Sequence, residues 1–227
     1  MYISKILVAT GKKVIVIDST INQKAKYIVP VIKPTMSYVT EFEGMDVAIG
    51  FDKIENIEDY LGTAQLQYDM ILIDIDTHED FIGFDMENAD KNYFVTGFDN
   101  YSLKKGLEAI GKMQNKIPMT KILFSRDMLQ EEDDYLNFLS FYYSIQWNGD
   151  KIYFPFDNGD STVIIENQRA AKISFRNLST EYKDGLLELA QQIVPETRNG
   201  WIKRIIKNIC EYYKDKTIIY VSHKKEI

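Results

Sequence analysis

Short continuous apolar runs recur along this chain, each bounded by turn-forming residues. They fall at residues 14–17, 45–49, 70–73, 93–95, 122–124 and 152–154. Runs without polar alternation mark strands buried on both faces of a mostly parallel sheet. Helical spacing fills the intervals. Ile3, Ile6, Leu7 and Thr10 form one stripe, closed by Gly11. Leu103, Leu107, Ile110, Gly111 and Met113 form a second, after the start Asp99-Asn100-Tyr101-Ser102. Residues 131–145 are predicted as a third, with Leu136, Phe138, Leu139 and Tyr142 apolar. Tyr182, Leu186, Leu187, Leu189, Ala190 and Ile193 form a fourth, ended by Pro195. Strand and helix alternate, so the expected fold is α/β, a doubly wound, mostly parallel sheet with helices on both faces. The expected division is an α/β domain over 1–196 and a tail over 197–227, linked through 195–200.

Ligands in such sheets bind beyond the carboxyl ends of the strands. The residues found there are Asp18-Ser19-Thr20, Asp74-Ile75-Asp76-Thr77-His78, Thr96-Gly97-Phe98-Asp99, Ser125-Arg126-Asp127 and Pro155-Phe156-Asp157-Asn158. Acidic and small polar groups therefore converge on one edge. The same residue types also cap the helices that follow.

Composition narrows the chemistry. The 227 residues include one Cys and two His, too few for a disulfide framework or a His- or Cys-rich metal centre. No apolar run approaches the ~20 residues of a spanning helix. The first residues lack a basic leader and cleavage site, so an intracellular, cytoplasmic protein is expected. From Thr197 onward eight bases face three acids, which leaves the tail at +5 and residues 1–196 at −12. An acidic body disfavours nucleic acid, and any polyanion partner is expected to meet the tail.

The order of these segments resembles the ParA/MinD family of deviant Walker ATPases, which dimerise over ATP to position division, plasmid and pilus machinery. The resemblance runs from Met1 to about Ile193. Residues 3–18, ISKILVATGKKVIVID, look like the family's first helix and second strand. Tyr68-Asp69-Met70-Ile71-Leu72-Ile73-Asp74 looks like its Walker B strand, whose aspartate supports magnesium through water. Phe154-Pro155-Phe156-Asp157 resembles the loop that touches adenine. Residues 179–194 look like the last core helix.

Two departures bear on activity. The family's glycine-rich phosphate loop precedes the first helix, whereas this chain begins inside that helix. Gly11-Lys12-Lys13 precedes a strand instead of following one, so it reads as a helix-to-strand turn rather than a phosphate cradle. The family's second acid after the first strand-end Asp is here Thr20. Without cradle, lysine and acid, phosphoryl transfer lacks electrostatic support. No residue is therefore expected to be catalytic and no metal site is expected. Asp18, Thr20, Asp74, Ser125, Arg126, Pro155 and Asp157 stand as a vestigial nucleotide site. ATP and Mg2+ enter only if a phosphate loop lies upstream of Met1. The resemblance thus implies a non-catalytic scaffold or localisation protein, a homodimer of the CpaE/TadZ kind serving a membrane-associated pilus, secretion or division assembly. An active ATPase with its loop upstream, and a ligand-binding regulator without turnover, are the alternatives.

In the tail, Trp201, Ile202, Ile205, Ile206 and Ile209 share one helical stripe with Cys210, while Lys203, Arg204 and Lys207 fill the opposite face. Such a helix can lie on an anionic membrane, and residues 200–206 resemble the membrane-targeting helix of MinD. Docking on the acidic body is the competing expectation. Residues 217–221 read as a strand. His78 in a polar loop is expected to be solvated, and Glu131-Glu132-Asp133-Asp134 to complement a helix dipole.

Overall fold

β1 (Val14–Asp18) carries four aliphatic residues in succession, and all five of its residues are buried because a strand lies on each side of it. The computed structural model describes residues 1–30, 35–97, 99–113, 115–125, 130–143, 145–194 and 199–212. In it β1 pairs in parallel with β3 (Met45–Ile49) and β4 (Met70–Asp74), and the register sets Asp18 beside Asp74. β2 (Tyr38–Phe42) adds an antiparallel edge to β3. The order in this first sheet is β2-β3-β1-β4. A second sheet, β5-β6-β7, joins β5 (Tyr93–Thr96), β6 (Ile117–Ser125) and β7 (Ile145–Pro155), all parallel. The mostly parallel α/β arrangement is as expected; among the described residues its strands fall into two sheets, because β4 and β5 make no ladder with each other.

Helices cover both faces, as the α/β pattern requires. On one face α1 (Tyr2–Ala9), α7 (Thr180–Ile193) and α8 (Asn199–Tyr212) enclose a core common to both sheets. It includes Leu7, Val16, Val47, Ile152, Phe154 and Phe175. α6 (Asn158–Arg169) adds Val163 and Ile164 to its margin. On the other face, Ile57 of α2 (Ile54–Leu61) packs with Ile15 and Ile17. Phe81 of α3 (His78–Gly83) packs with Leu103 and Leu107 of α4 (Asn100–Gly111) and Leu136 of α5 (Gln130–Ser140).

Local chemistry explains most boundaries. Asp99 accepts a hydrogen bond from Ser102 N at 2.8 Å and starts α4, and Ser179 accepts from Tyr182 N at 3.0 Å to start α7. Gly185 of α7 lies so close to β7 that an added Cβ would stand 2.8 Å from the Tyr153 carbonyl oxygen, so only glycine fits. The helix expected over 131–145 is shorter. It ends at Ser140, whose Oγ accepts from Trp147 Nε1 at 2.8 Å, and Ile145 already opens β7. Phe138, within α5, and Tyr142, beyond its end, both face solvent rather than the core. β2, α2, α3 and α6 were not read from the pattern. Of the linker expected over 195–200, Asn199 and Gly200 already belong to α8; its residues 195–198 and the strand expected at 217–221 lie outside the described residues.

Candidate functional site

The carboxyl ends of β1 and β4 gather the acidic groups. Asp18 is buried, and both of its oxygens are engaged. Oδ1 accepts from Thr20 N at 3.1 Å and Thr20 Oγ1 at 2.6 Å, and Oδ2 accepts from Ala25 N at 2.8 Å. Thr20 Oγ1 in turn accepts from Gln23 N at 3.1 Å. The two residues therefore organise the turn after β1. Thr20 supplies a hydroxyl that satisfies Asp18, where a carboxylate would repel it.

Asp74 lies directly across from Asp18. It is open to solvent on one side and crowded by protein on the other. Desolvation, followed by the charge of Asp18, raises its pKa above the ordinary carboxylate value. Its backbone carbonyl accepts from Ser19 N at 3.0 Å, and Asp76 Oδ1 accepts from Ile21 N at 2.9 Å, so the two loops are laced together. Asp80, buried on α3, accepts from Ser19 Oγ at 2.9 Å and from Thr77 Oγ1. The Met1 amino group is buried in this neighbourhood, and its pKa is lowered by burial against the partial restoring charge of Asp74.

Other expected site residues take structural posts. Pro155 ends β7, and Asp157 caps α6 by accepting from Gly159 N. Ser125 is buried at the end of β6, and its carbonyl accepts from Phe156 N at 3.0 Å. Arg126 lies outside the described residues. The described part of the site thus unites Asp18, Thr20 and Asp74, joins Ser125 to Pro155 through the β6–β7 register, and leaves Asp157 as a cap.

The Gly11-Lys12-Lys13 turn does not fit a phosphate group. Gly11 has φ +82 and donates its N–H to Val8 O at 2.9 Å, Lys12 N donates to Leu7 O at 3.4 Å, and Lys13 N donates to Asp69 Oδ2 at 2.7 Å. The amides of this turn are engaged, so it is a helix stop and offers no cradle.

Two residues do more than the expectation gave them. Asp133 stands near the start of α5, as expected, and also forms buried ion pairs. It is buried between Lys121 Nζ at 2.5 Å and Lys151 Nζ at 2.9 Å. Burial alone would raise its pKa, but the hydrogen bonds from the two lysines outweigh burial and hold it below the ordinary value. His78 is not simply solvated: its Nδ1 is buried without a hydrogen-bond partner. Sequence reasoning could have found Asp133 only by pairing α5 with Lys121, an unusual lysine inside an apolar strand.

In the tail, Ile202, Ile205 and Ile206 are buried, and α8 packs against α1 and α7, with Ile209 at the margin of the core. The body occupies the stripe that a membrane would need. Trp201, Lys203 and Arg204 face solvent. The Cys210 side chain lies outside the description. No helix among the described residues is long and apolar enough to cross a membrane.

No family model matches the chain, and no curated protein matches it. Among solved structures it is similar to a ParA family ATPase from Chlorobium tepidum TLS. The TM-score is 0.50 and the identity 13%, over 93% of this chain and 90% of that one. At that identity the likeness concerns the fold alone, an α/β fold shared with that ATPase.

Proposed function

We propose that this chain is a ParA-like scaffold or localisation protein that holds partners in place without turning over ATP. The observation that carries the reading is Asp18. Both of its carboxylate oxygens are committed to the 20–25 turn, and Thr20 stands where the resembling family has a second acid. Three hydrogen bonds hold Asp18 to that turn, and Thr20 offers no second carboxylate to orient an attacking water. In this reading the chain is a cytoplasmic, CpaE/TadZ-like homodimer that meets its copy through the former ATP face and serves a membrane-associated pilus, secretion or division assembly. Any anionic lipid contact falls to the outward Trp201, Lys203 and Arg204. ATP and Mg2+ belong to it only with a phosphate loop on the amino side of Met1.

The test is steady-state ATP hydrolysis by the purified 227-residue protein, beside Asp74→Ala. No turnover in either is expected; turnover that Asp74→Ala abolishes would overturn the reading. For the lipid contact, Lys203→Glu with Arg204→Glu is expected to weaken sedimentation with anionic vesicles, and unchanged sedimentation removes it.

A further inference from the structure

Exposed aromatic side chains gather on the outer side of α4 and α5 and on the turn after α5. They are Tyr101, Tyr135, Phe138, Phe141 and Tyr142, from 40% exposed at Tyr135 to 82% at Phe141 and Tyr142. A groove of about 320 Å³ runs beside them, lined by the better-covered Leu107, Leu139 and Tyr143. Two contacts fix how the helices lie. Tyr135 Oη donates to Asn100 Oδ1 at 3.2 Å, and a Cβ on Gly111 would stand 2.2 Å from the Tyr143 ring. The starts and the ends of the two helices therefore match, so α4 and α5 run parallel, with the amino end of α5 projecting beyond α4. The charges are sorted along this face. Glu131 and Asp134 are exposed at the amino end of α5. Lys104, Lys112 and Lys116 are exposed along α4 and just after it, with Glu108 among them, three bases to one acid. Lys105 is turned aside to Asp76. A contiguous aromatic patch with sorted charges at its margins is the composition of a protein–protein contact.

We propose that the α4–α5 face binds a second copy of the chain through a two-fold contact, with the helices of the two copies antiparallel. The charge pattern selects this occupant. A partner of one sign would meet repulsion over half of the face. The same face turned by half a revolution brings the acids of one copy to the lysines of the other. Phe138, Phe141 and Tyr142 then form the apolar centre, and Glu131 and Asp134 of one copy meet Lys104 and Lys112 of the other. Antiparallel packing also sets the helix dipoles in their favourable sense. The contact lies on the flank of the second sheet, away from the strand ends through which the scaffold reading pairs two copies, and it does not depend on that reading. A chain with both contacts would build assemblies larger than a pair.

The experiment is sedimentation velocity of the 227-residue protein over roughly 1–100 μM, beside three variants. The wild type is expected to associate with a Kd in that range. Phe138→Glu should weaken association about 30-fold or more, as loss of a central aromatic anchor does. Lys104→Glu with Lys112→Glu, and Glu131→Lys with Asp134→Lys, each set like charges opposite one another and should weaken self-association at least about tenfold. Mixed one to one, these two charge-reversed variants should pair as tightly as the wild type does with itself, because each supplies the charge that the other has lost. All the substituted side chains are exposed, so the variants keep the fold. A wild type that stays monomeric overturns the proposal, and the aromatic face then belongs to a different protein. Association unchanged by Phe138→Glu overturns it too and leaves the strand-end contact of the scaffold reading as the one observed. Charge-reversed variants that pair no better with each other than with themselves overturn it as well.

Discussion

β1 and β4 read almost alike, VIVID and MILID, and run side by side in parallel, yet the first is buried throughout while the second is half open. The difference lies in neighbours rather than residues. Among the described residues β1 has a strand on each side, and β4 has one. The second sheet repeats the contrast, with β6 enclosed between β5 and β7 and β5 at an edge. Apolar composition therefore says that a strand seeks cover, and topology decides whether it receives it.

The largest expected effect breaks the closed interior of the second sheet. Lys121 on β6 is 4% exposed and meets Asp133, Asn137 and the Trp147 ring. Asp133→Asn strips both lysines of their counter-charge and should cost about 3–5 kcal/mol in denaturant unfolding. The folded pKa of Asp133 is depressed, so its contribution is present above the unfolded carboxylate value and is lost as pH falls through the folded one. Wild-type stability should thus decline on acidification below about pH 4, and the variant should lose part of that dependence.

Ile17→Ala in β1 comes next. Ile17 is fully buried, and its removal should cost about 2–5 kcal/mol. The paired change in β4, Ile71→Ala, should cost less than about 1 kcal/mol in the 227-residue chain. Equal losses at the two positions would erase the comparison.

The smallest effect concerns the open end. The pKa of Asp74 is raised on folding, so its ionised form opposes folding. The penalty is absent below the unfolded pKa and grows as pH rises through the folded one. Asp74→Asn should raise the melting temperature at pH 7 by about 1–2 °C, with no gain near pH 3.

Much of the architecture was legible. The six apolar runs are strands, and Asp99 and Ser179 start helices as helix-capping chemistry implies. The elements missed have identifiable causes. β2 alternates because it is an edge, and its turn to β3 is Glu43-Gly44, both at positive φ, where Glu disguises a two-residue hairpin turn usually written with Asn or Asp. α6 carries a weakly separated apolar side and a Gly-Asp-Ser-Thr start, so its periodicity is faint. Of the candidate site, the neighbourhood of Asp18 and Asp74 was visible because both residues end apolar runs. That Thr20 and Ala25 would engage both oxygens of Asp18 depends on how the chain folds back over seven residues, which spacing does not encode. The tail's apolar stripe was visible too, but a stripe fits a membrane and a protein core equally well.

The Glu43 carboxylate draws together distant parts of the chain. It accepts from Lys5 Nζ and from Ile173 N, the latter at 3.2 Å. Phe175, beside it in sequence and fully buried, meets the Tyr2 ring edge-on with centroids 5.3 Å apart. During synthesis the first sheet and α1 can meet once residue 74 has emerged, but α1 gains its contacts with α7 and the Ile173 bond to Glu43 only when residues near 173 and beyond follow. At ribosomal rates of roughly 5–20 residues per second that delay is on the order of 10 s. For that interval the outer side of α1 is uncovered, so the yield in the cell is governed by what attends the ribosome as well as by the stability of the finished fold.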